Sequence, residues 1–144
     1  MRKAEFRFSF EGIEDFKKKV QKYKFTVREE IKKRTVQAGY NIQREARLNT
    51  PVEFGFLKNS IRNYNAPDRL SSETNVEQHY APYVEFGTGT LVRVPRELRD
   101  FAWQFKGKGI KQVNLPARPF LYPAFFSERK QYLNDLQKII SETA

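Results

Sequence analysis

The sequence of 144 residues contains no cysteine and a single histidine, His79. The first absence excludes disulfides, thiolate catalysis and the common zinc sites, and the second leaves little from which to build a histidine-centred triad or metal cluster. No apolar run approaches the roughly 18 to 20 residues that cross a bilayer. The opening residues MRKAEFRFSF alternate charge with phenylalanine and carry no apolar signal core, so the expected location is cytoplasmic, with no membrane partner. The four aspartates, Asp15, Asp68, Asp100 and Asp135, are widely separated, and no acidic cluster has metal-ligand spacing.

What the chain does have is aromatic surface and positive charge. Thirteen phenylalanines and seven tyrosines must be covered, either by a core or by a partner. Lysine and arginine number 27 against 17 acidic residues, a formal charge of +10 that favours polyanionic neighbours, whether nucleic acid or an acidic protein surface. The length suits one domain spanning residues 1–144.

Hydrophobic period organises the chain. Ala4-Glu-Phe-Arg-Phe-Ser-Phe10 sets Phe6, Phe8 and Phe10 on one face at period two, which predicts a strand with one covered face. From Gly12 the period lengthens: Ile13, Phe16, Val20, Tyr23, Val27, Ile31, Ala38, Ile42 and Ala46 recur at helical spacing, with no proline before Pro51. One helix of about 55 Å is predicted, with Gly39 as its weakest point. Glu53-Phe-Gly55 then turns the chain. Ser60 to Asn65 and Glu73 to Gln78 flank a polar connector and are expected to pair as short strands, with the register open. Pro82 and Gly87 bracket a short helix carrying Tyr83, Val84 and Phe86. Residues 90–116 lack a strong period beyond a helical turn at Arg96 to Ala102 and are expected to form a flexible or partner-ordered loop. Phe125, Leu133, Leu136 and Ile140 predict a C-terminal amphipathic helix with Pro123 in its first turn. These elements sum to an α+β fold in which a small antiparallel sheet packs against a long N-terminal helix and a C-terminal helix.

Little of this supports catalysis. His79 stands between Glu77 and Glu85, but no serine or cysteine occupies a nucleophile elbow. Gly87-Thr-Gly89 lacks the lysine and glycine spacing of a phosphate loop. We therefore expect no enzyme, no cofactor and no metal. The basic residues from Lys17 to Arg34 read first as a solvated face partly balanced by Glu29 and Glu30. The sharper reading makes Lys17, Lys18, Lys22, Lys32 and Lys33 DNA-facing, as in a small basic nucleic-acid-binding protein.

Three segments carry a resemblance when taken together: Thr50-Pro-Val-Glu-Phe-Gly-Phe-Leu-Lys-Asn-Ser-Ile61, Tyr80-Ala-Pro-Tyr-Val-Glu-Phe-Gly-Thr-Gly89 and Ala117-Arg-Pro-Phe-Leu-Tyr-Pro-Ala124. In order and spacing the chain resembles the minor tail components of long-tailed bacteriophages, the neck and tail-completion proteins of the head–tail junction. Within that resemblance, Phe54 and Phe56 around Gly55 are unusual.

The resemblance implies a non-enzymatic structural protein, a homo-oligomeric ring in contact with other phage neck and tail proteins. It would sit in the virion after assembly in the host cytoplasm, whether from an infecting phage or a prophage. Tyr80, Tyr83, Glu85, Phe86, Gly87, Gly89, Arg118, Pro119, Phe120 and Pro123 are expected to form one packed corner, in which Glu85 and Arg118 meet as a partly buried pair. Phe101, Trp103 and Phe105 in the long loop are candidate subunit contacts.

Overall fold

The computed structural model describes residues 13–102 and 115–143. The predicted strand at 4–10 and residues 103–114 of the expected loop lie outside the described residues.

A single helix, α1, runs from Ile13 to Asn49. Its first turn holds Glu14 and Asp15 against the positive end of the helix dipole, and Arg47 sits in its last turn. Glu14–Lys17, Glu29–Lys32 and Glu30–Lys33 pair at i,i+3 along its surface. The helix stops at Thr50, whose amide and hydroxyl both donate to the carbonyl of Ala46 at 3.0 and 2.7 Å, because Pro51 cannot extend the ladder.

After α2 (Gly55–Ser60), strands β1 (Ile61–Asn65) and β2 (Ser72–Val76) form a two-stranded antiparallel sheet. The second strand begins one residue earlier and ends two residues sooner than the sequence suggested. The register pairs Ile61 with Val76, Asn63 with Thr74 and Asn65 with Ser72 on the inward face. Most of that face is polar, and Asn63 Oδ1 accepts from Ser72 Oγ and Thr74 Oγ1 at 2.8 and 3.2 Å.

Gly39 acquires a reason here. A Cβ at this position would overlap Ser72 Oγ and come within 2.5 Å of Asn63 Oδ1. The weakest residue of the helix by propensity is where the hairpin lies closest to it.

Beyond the sheet come α3 (Ala81–Phe86), two short 3₁₀ turns at Gly89–Leu91 and Arg96–Leu98, α4 (Arg99–Ala102) and α5 (Tyr122–Thr143). The turns and α4 give the stretch from 89 to 102 more local structure than its weak period implied. Helix α5 returns antiparallel along α1: Asn49 Nδ2 donates to the Phe120 carbonyl at 3.3 Å, Thr35 Oγ1 lies 2.9 Å from Tyr132 Oη, and Tyr23 Oη donates to the Ile140 carbonyl at 2.9 Å. Together with the sheet, these helices make an α+β fold.

The seam between α1 and α5 is polar at its middle. Arg34 Nε donates to Asp135 Oδ2 at 2.7 Å, while its Nη1 lies 2.7 Å from Glu128 Oε1, and the guanidinium sits 5.6 Å from the centre of the Tyr132 ring. Burial opposes the charge on Arg34, but hydrogen bonds to Asp135 and Glu128 outweigh it and raise its pKa above the ordinary value. In return the Arg34 hydrogen bond, more than the smaller effects of Gln131 and Lys138, holds the Asp135 carboxyl below its ordinary range. Since Arg34 spends its charge inside this seam, it leaves the basic face that the sequence assigned it to.

The expected apolar stripe of α5 needs a second correction. Ala124, Glu128, Tyr132, Asp135 and Ile139 carry the covered side; of the four predicted residues Leu136 is partly covered, while Phe125, Leu133 and Ile140 are each about half exposed. The helix exists, but the face chosen by hydrophobicity is displaced from the face that packs on α1.

The apolar core gathers at the C-terminal end of α1, where Ala46 meets Leu57, Ile61, Ala81, Val84, Phe120 and Ala124.

Candidate functional site

The corner predicted from residues 80–89 and 117–124 can be built from α3 outward. Pro82 pre-sets the first turn of this six-residue helix, which ends as the Gly87 amide returns to the Tyr83 carbonyl at 2.9 Å. Gly87 has φ +76° and ψ −178°, a region open essentially to glycine alone. Its missing side chain also matters, because a Cβ would come within 2.7 Å of the Ala117 nitrogen and 2.8 Å of the Leu115 and Leu91 carbonyl oxygens. Segment 115–118 therefore passes directly over Gly87. It is held there by Thr88 N to Leu115 O at 2.9 Å and by Arg118 N to Val84 O at 2.8 Å.

That crossing delivers Phe120, Leu121 and Tyr122 to Glu85. One carboxylate oxygen accepts the amides of Phe120 and Leu121 at 2.9 and 3.0 Å, and the other accepts that of Tyr122 at 2.7 Å. Glu85 is only 5 % exposed. Its charge is answered by three N–H donors at the start of α5 and by the positive end of that helix.

Arg118 does not take part. With its amide tied to Val84, its side chain points outward and pairs at the surface with Glu53, in the turn between α1 and α2. The expected Glu85–Arg118 pair is therefore absent, since each charge finds a different partner. Its own backbone amide first, and Arg118 second, keep the Glu53 carboxyl below its ordinary range.

The remaining members of the corner divide by burial. Phe120 and Phe86 are buried, Tyr80 packs against the core and against Phe54 at 6.3 Å between ring centres, and Tyr83, Pro119 and Pro123 are half covered. Gly89, at φ +60°, opens the first 3₁₀ turn and is exposed. Among the unusual phenylalanines around Gly55, Phe54 joins the core edge while Phe56 is 82 % exposed.

A groove of about 800 Å³ opens beside the corner, between β2, α3, α4 and the start of α5. Ile42, Phe86, Phe101, Phe120, Leu121 and Phe125 supply its apolar lining, and His79 and Glu77 sit at its margin. His79 stacks edge-on against Tyr80 at 5.5 Å. Glu77 accepts from Tyr64 Oη at 3.0 Å and lies 3.7 Å from Arg62 Nε. Both carboxylates flanking His79 in sequence are thus engaged elsewhere. Among the described residues, no cluster of three or more His, Cys, Asp or Glu side chains is placed to hold a metal ion.

Of the candidate loop contacts, Phe101 is half exposed on the groove, while Trp103 and Phe105 lie outside the described residues. On α1, Lys17, Lys32 and Lys33 each bind a glutamate of their own helix, whereas Lys18, Lys19, Lys22, Lys24 and Arg28 are exposed. Sequence reading missed the role of Glu85 as a helix cap. The signal was a buried-context acid ahead of a segment starting Phe-Leu-Tyr-Pro, but the pairing spans 35 to 37 residues. Among the described residues, no helix is long and apolar enough to cross a membrane.

No curated protein and no solved structure matches the chain. A family model for the bacteriophage HK97-gp10-like tail component matches residues 14–87, from the first turn of α1 to the glycine that ends α3. The first of the three sequence segments, 50–61, falls inside that span, the second, 80–89, does so up to Gly87, and the third, 117–124, is what the structure lays across Gly87 and Glu85. With just over half of its length matched, the chain belongs to the HK97-gp10-like family of phage tail components.

Proposed function

We propose that the chain is a non-enzymatic structural protein of the phage virion, present in several copies as a ring at the head–tail junction, where it completes or joins the tail. The observation that carries this reading is the apolar surface the fold leaves uncovered. Val52 is 96 % exposed, Phe56 82 % and Leu48 68 %, and the aromatic groove stands open beside β2 and α3. Surface of this kind on a small soluble domain marks contact with other protein. The groups that sequence offered for chemistry serve architecture instead: Glu85 caps α5 and Glu77 braces the sheet surface. Its partners are further copies and other neck and tail proteins.

Electron microscopy of particles produced without this protein tests the proposal. Unjoined heads and tails are expected, and normal complete virions would end it.

A second reading has its own observation. The exposed Lys18, Lys19, Lys22, Lys24 and Arg28 crowd the N-terminal half of α1, where they can attract phosphates of a passing genome. Affinity for duplex DNA should then fall with salt, with a log–log slope of about −0.9 for each phosphate contacted. Absence of binding at low salt removes this reading and leaves the structural one intact.

A further inference from the structure

We propose that the outer edge of β2, with the groove beside it, receives residues 4–10 of a neighbouring copy as a third strand. The inference rests on the reading of the chain as a multi-copy assembly protein and names the contact that joins its copies.

The backbone pattern identifies the free edge. Ala66 N donates to Ser71 O and Glu77 N donates to Ser60 O, so the hydrogen-bonded pairs of the ladder include Arg62 with Asn75 and Tyr64 with Glu73. The N–H and C=O groups of Ser72, Thr74 and Val76 therefore point away from β1. Among the described residues, no backbone group pairs with them. An open edge beside an apolar groove is the geometry that accepts an added strand.

Residues 4–10, Ala-Glu-Phe-Arg-Phe-Ser-Phe, have the complementary pattern. Laid beside β2, a strand continues its pleat, so alternate side chains share the face of Ser72, Thr74 and Val76, all of which line the groove. With Phe6, Phe8 and Phe10 on that face, three rings enter the groove. Arg7 then emerges on the outer face, where Glu73 and Asn75 are exposed.

Reach decides whose strand it is. Ser72 lies against Gly39, 26 residues along α1 from Ile13, or about 39 Å at the helical rise. Ala4 is nine residues from Ile13 and extends at most about 31 Å. The segment falls short of its own β2 even when fully stretched. A neighbour's segment meets no such limit, and because donor and acceptor surfaces differ, the contact is head-to-tail and closes into a ring when the rotation permits.

The absence of native cysteine permits a direct test on the full chain. Arg7→Cys protein and Glu73→Cys protein are purified separately, mixed and oxidised, while light scattering records the assembly state. Cross-linked mixed dimers are expected. Thr74→Pro in the acceptor, which removes an outward N–H and keeps the backbone bonds to β1 while losing the Thr74 hydroxyl bond to Asn63, should lower the cross-linked fraction about tenfold or more. Phe8→Ser in the donor should do likewise while the acceptor stays unaltered, which guards against a folding failure in the first variant. Assembled protein that never forms the mixed cross-link overturns strand addition alone. Protein that stays monomeric at every concentration overturns both this contact and the multi-copy reading.

Discussion

The carboxylate of Glu85 accepts the backbone amide of Phe120 at 2.9 Å across 35 residues of sequence. With Leu121 and Tyr122 it makes three such bonds, so one side chain fixes where α5 begins relative to α3. Glu85→Ala would leave three donors without their acceptor and remove an anion from the helix N-terminus, a loss of about 2 to 4 kcal/mol. Glu85→Gln, which retains an acceptor but no charge, should fall between. Arg118→Ala should leave the urea midpoint near that of wild type, and a double-mutant cycle between the two positions should show no coupling. Measurable coupling there would mean that the two residues share an interaction after all.

Gly87 offers a test of the crossing itself. Its backbone occupies a region that costs other residues about 1 to 3 kcal/mol, and three backbone atoms stand where a Cβ would go. Gly87→Ala should therefore destabilise by more than the strain alone, about 3 kcal/mol or above. Urea unfolding followed by circular dichroism checks this, and a change below about 1 kcal/mol would show that segment 115–118 does not press on this residue.

Gly39 reverses the usual sign. In an isolated helix Gly→Ala stabilises by roughly 1 kcal/mol, but here the added methyl meets Ser72 and Asn63. Gly39→Ala should instead cost about 1 to 3 kcal/mol, with partial recovery when Ser72→Gly is added. A stabilised Gly39→Ala protein would place the hairpin farther from α1.

These residues also show what sequence can and cannot disclose. The long helix, the two short strands and the bracketing of α3 by Pro82 and Gly87 were legible because each depends on period or on backbone chemistry within a few residues. Glu85 was found as a charged member of the corner but given the wrong partner. Opposite charge made Arg118 the obvious choice, whereas the actual donors are backbone amides, which every sequence position supplies alike. Likewise α5 was found but its face was not, because its packing on α1 relies on Glu128, Tyr132 and Asp135, residues that a hydrophobic stripe does not count. The groove assembles from β2, α3, α4 and α5 and has no local signature.

The Arg34–Asp135 contact predicts how the helix pair responds to acid. Asp135 has a folded-state pKa held below its ordinary value, chiefly by the Arg34 hydrogen bond. A carboxyl of this kind contributes stability that is fully present above its unfolded pKa, near 4, and is lost as pH falls through the depressed folded value. Arg34, with a raised pKa, has the opposite sign, and its contribution would fade only at strongly alkaline pH. Over the acid range the carboxylate therefore governs the seam. Asp135→Asn should lower the urea midpoint at neutral pH and flatten its decline below about pH 4. Glu29 and Glu53, also held low, remain in the variant and preserve part of the acid slope. If wild type and Asp135→Asn lose stability in parallel through that range, Asp135 carries no linked proton and the ion pair does not hold α5 to α1.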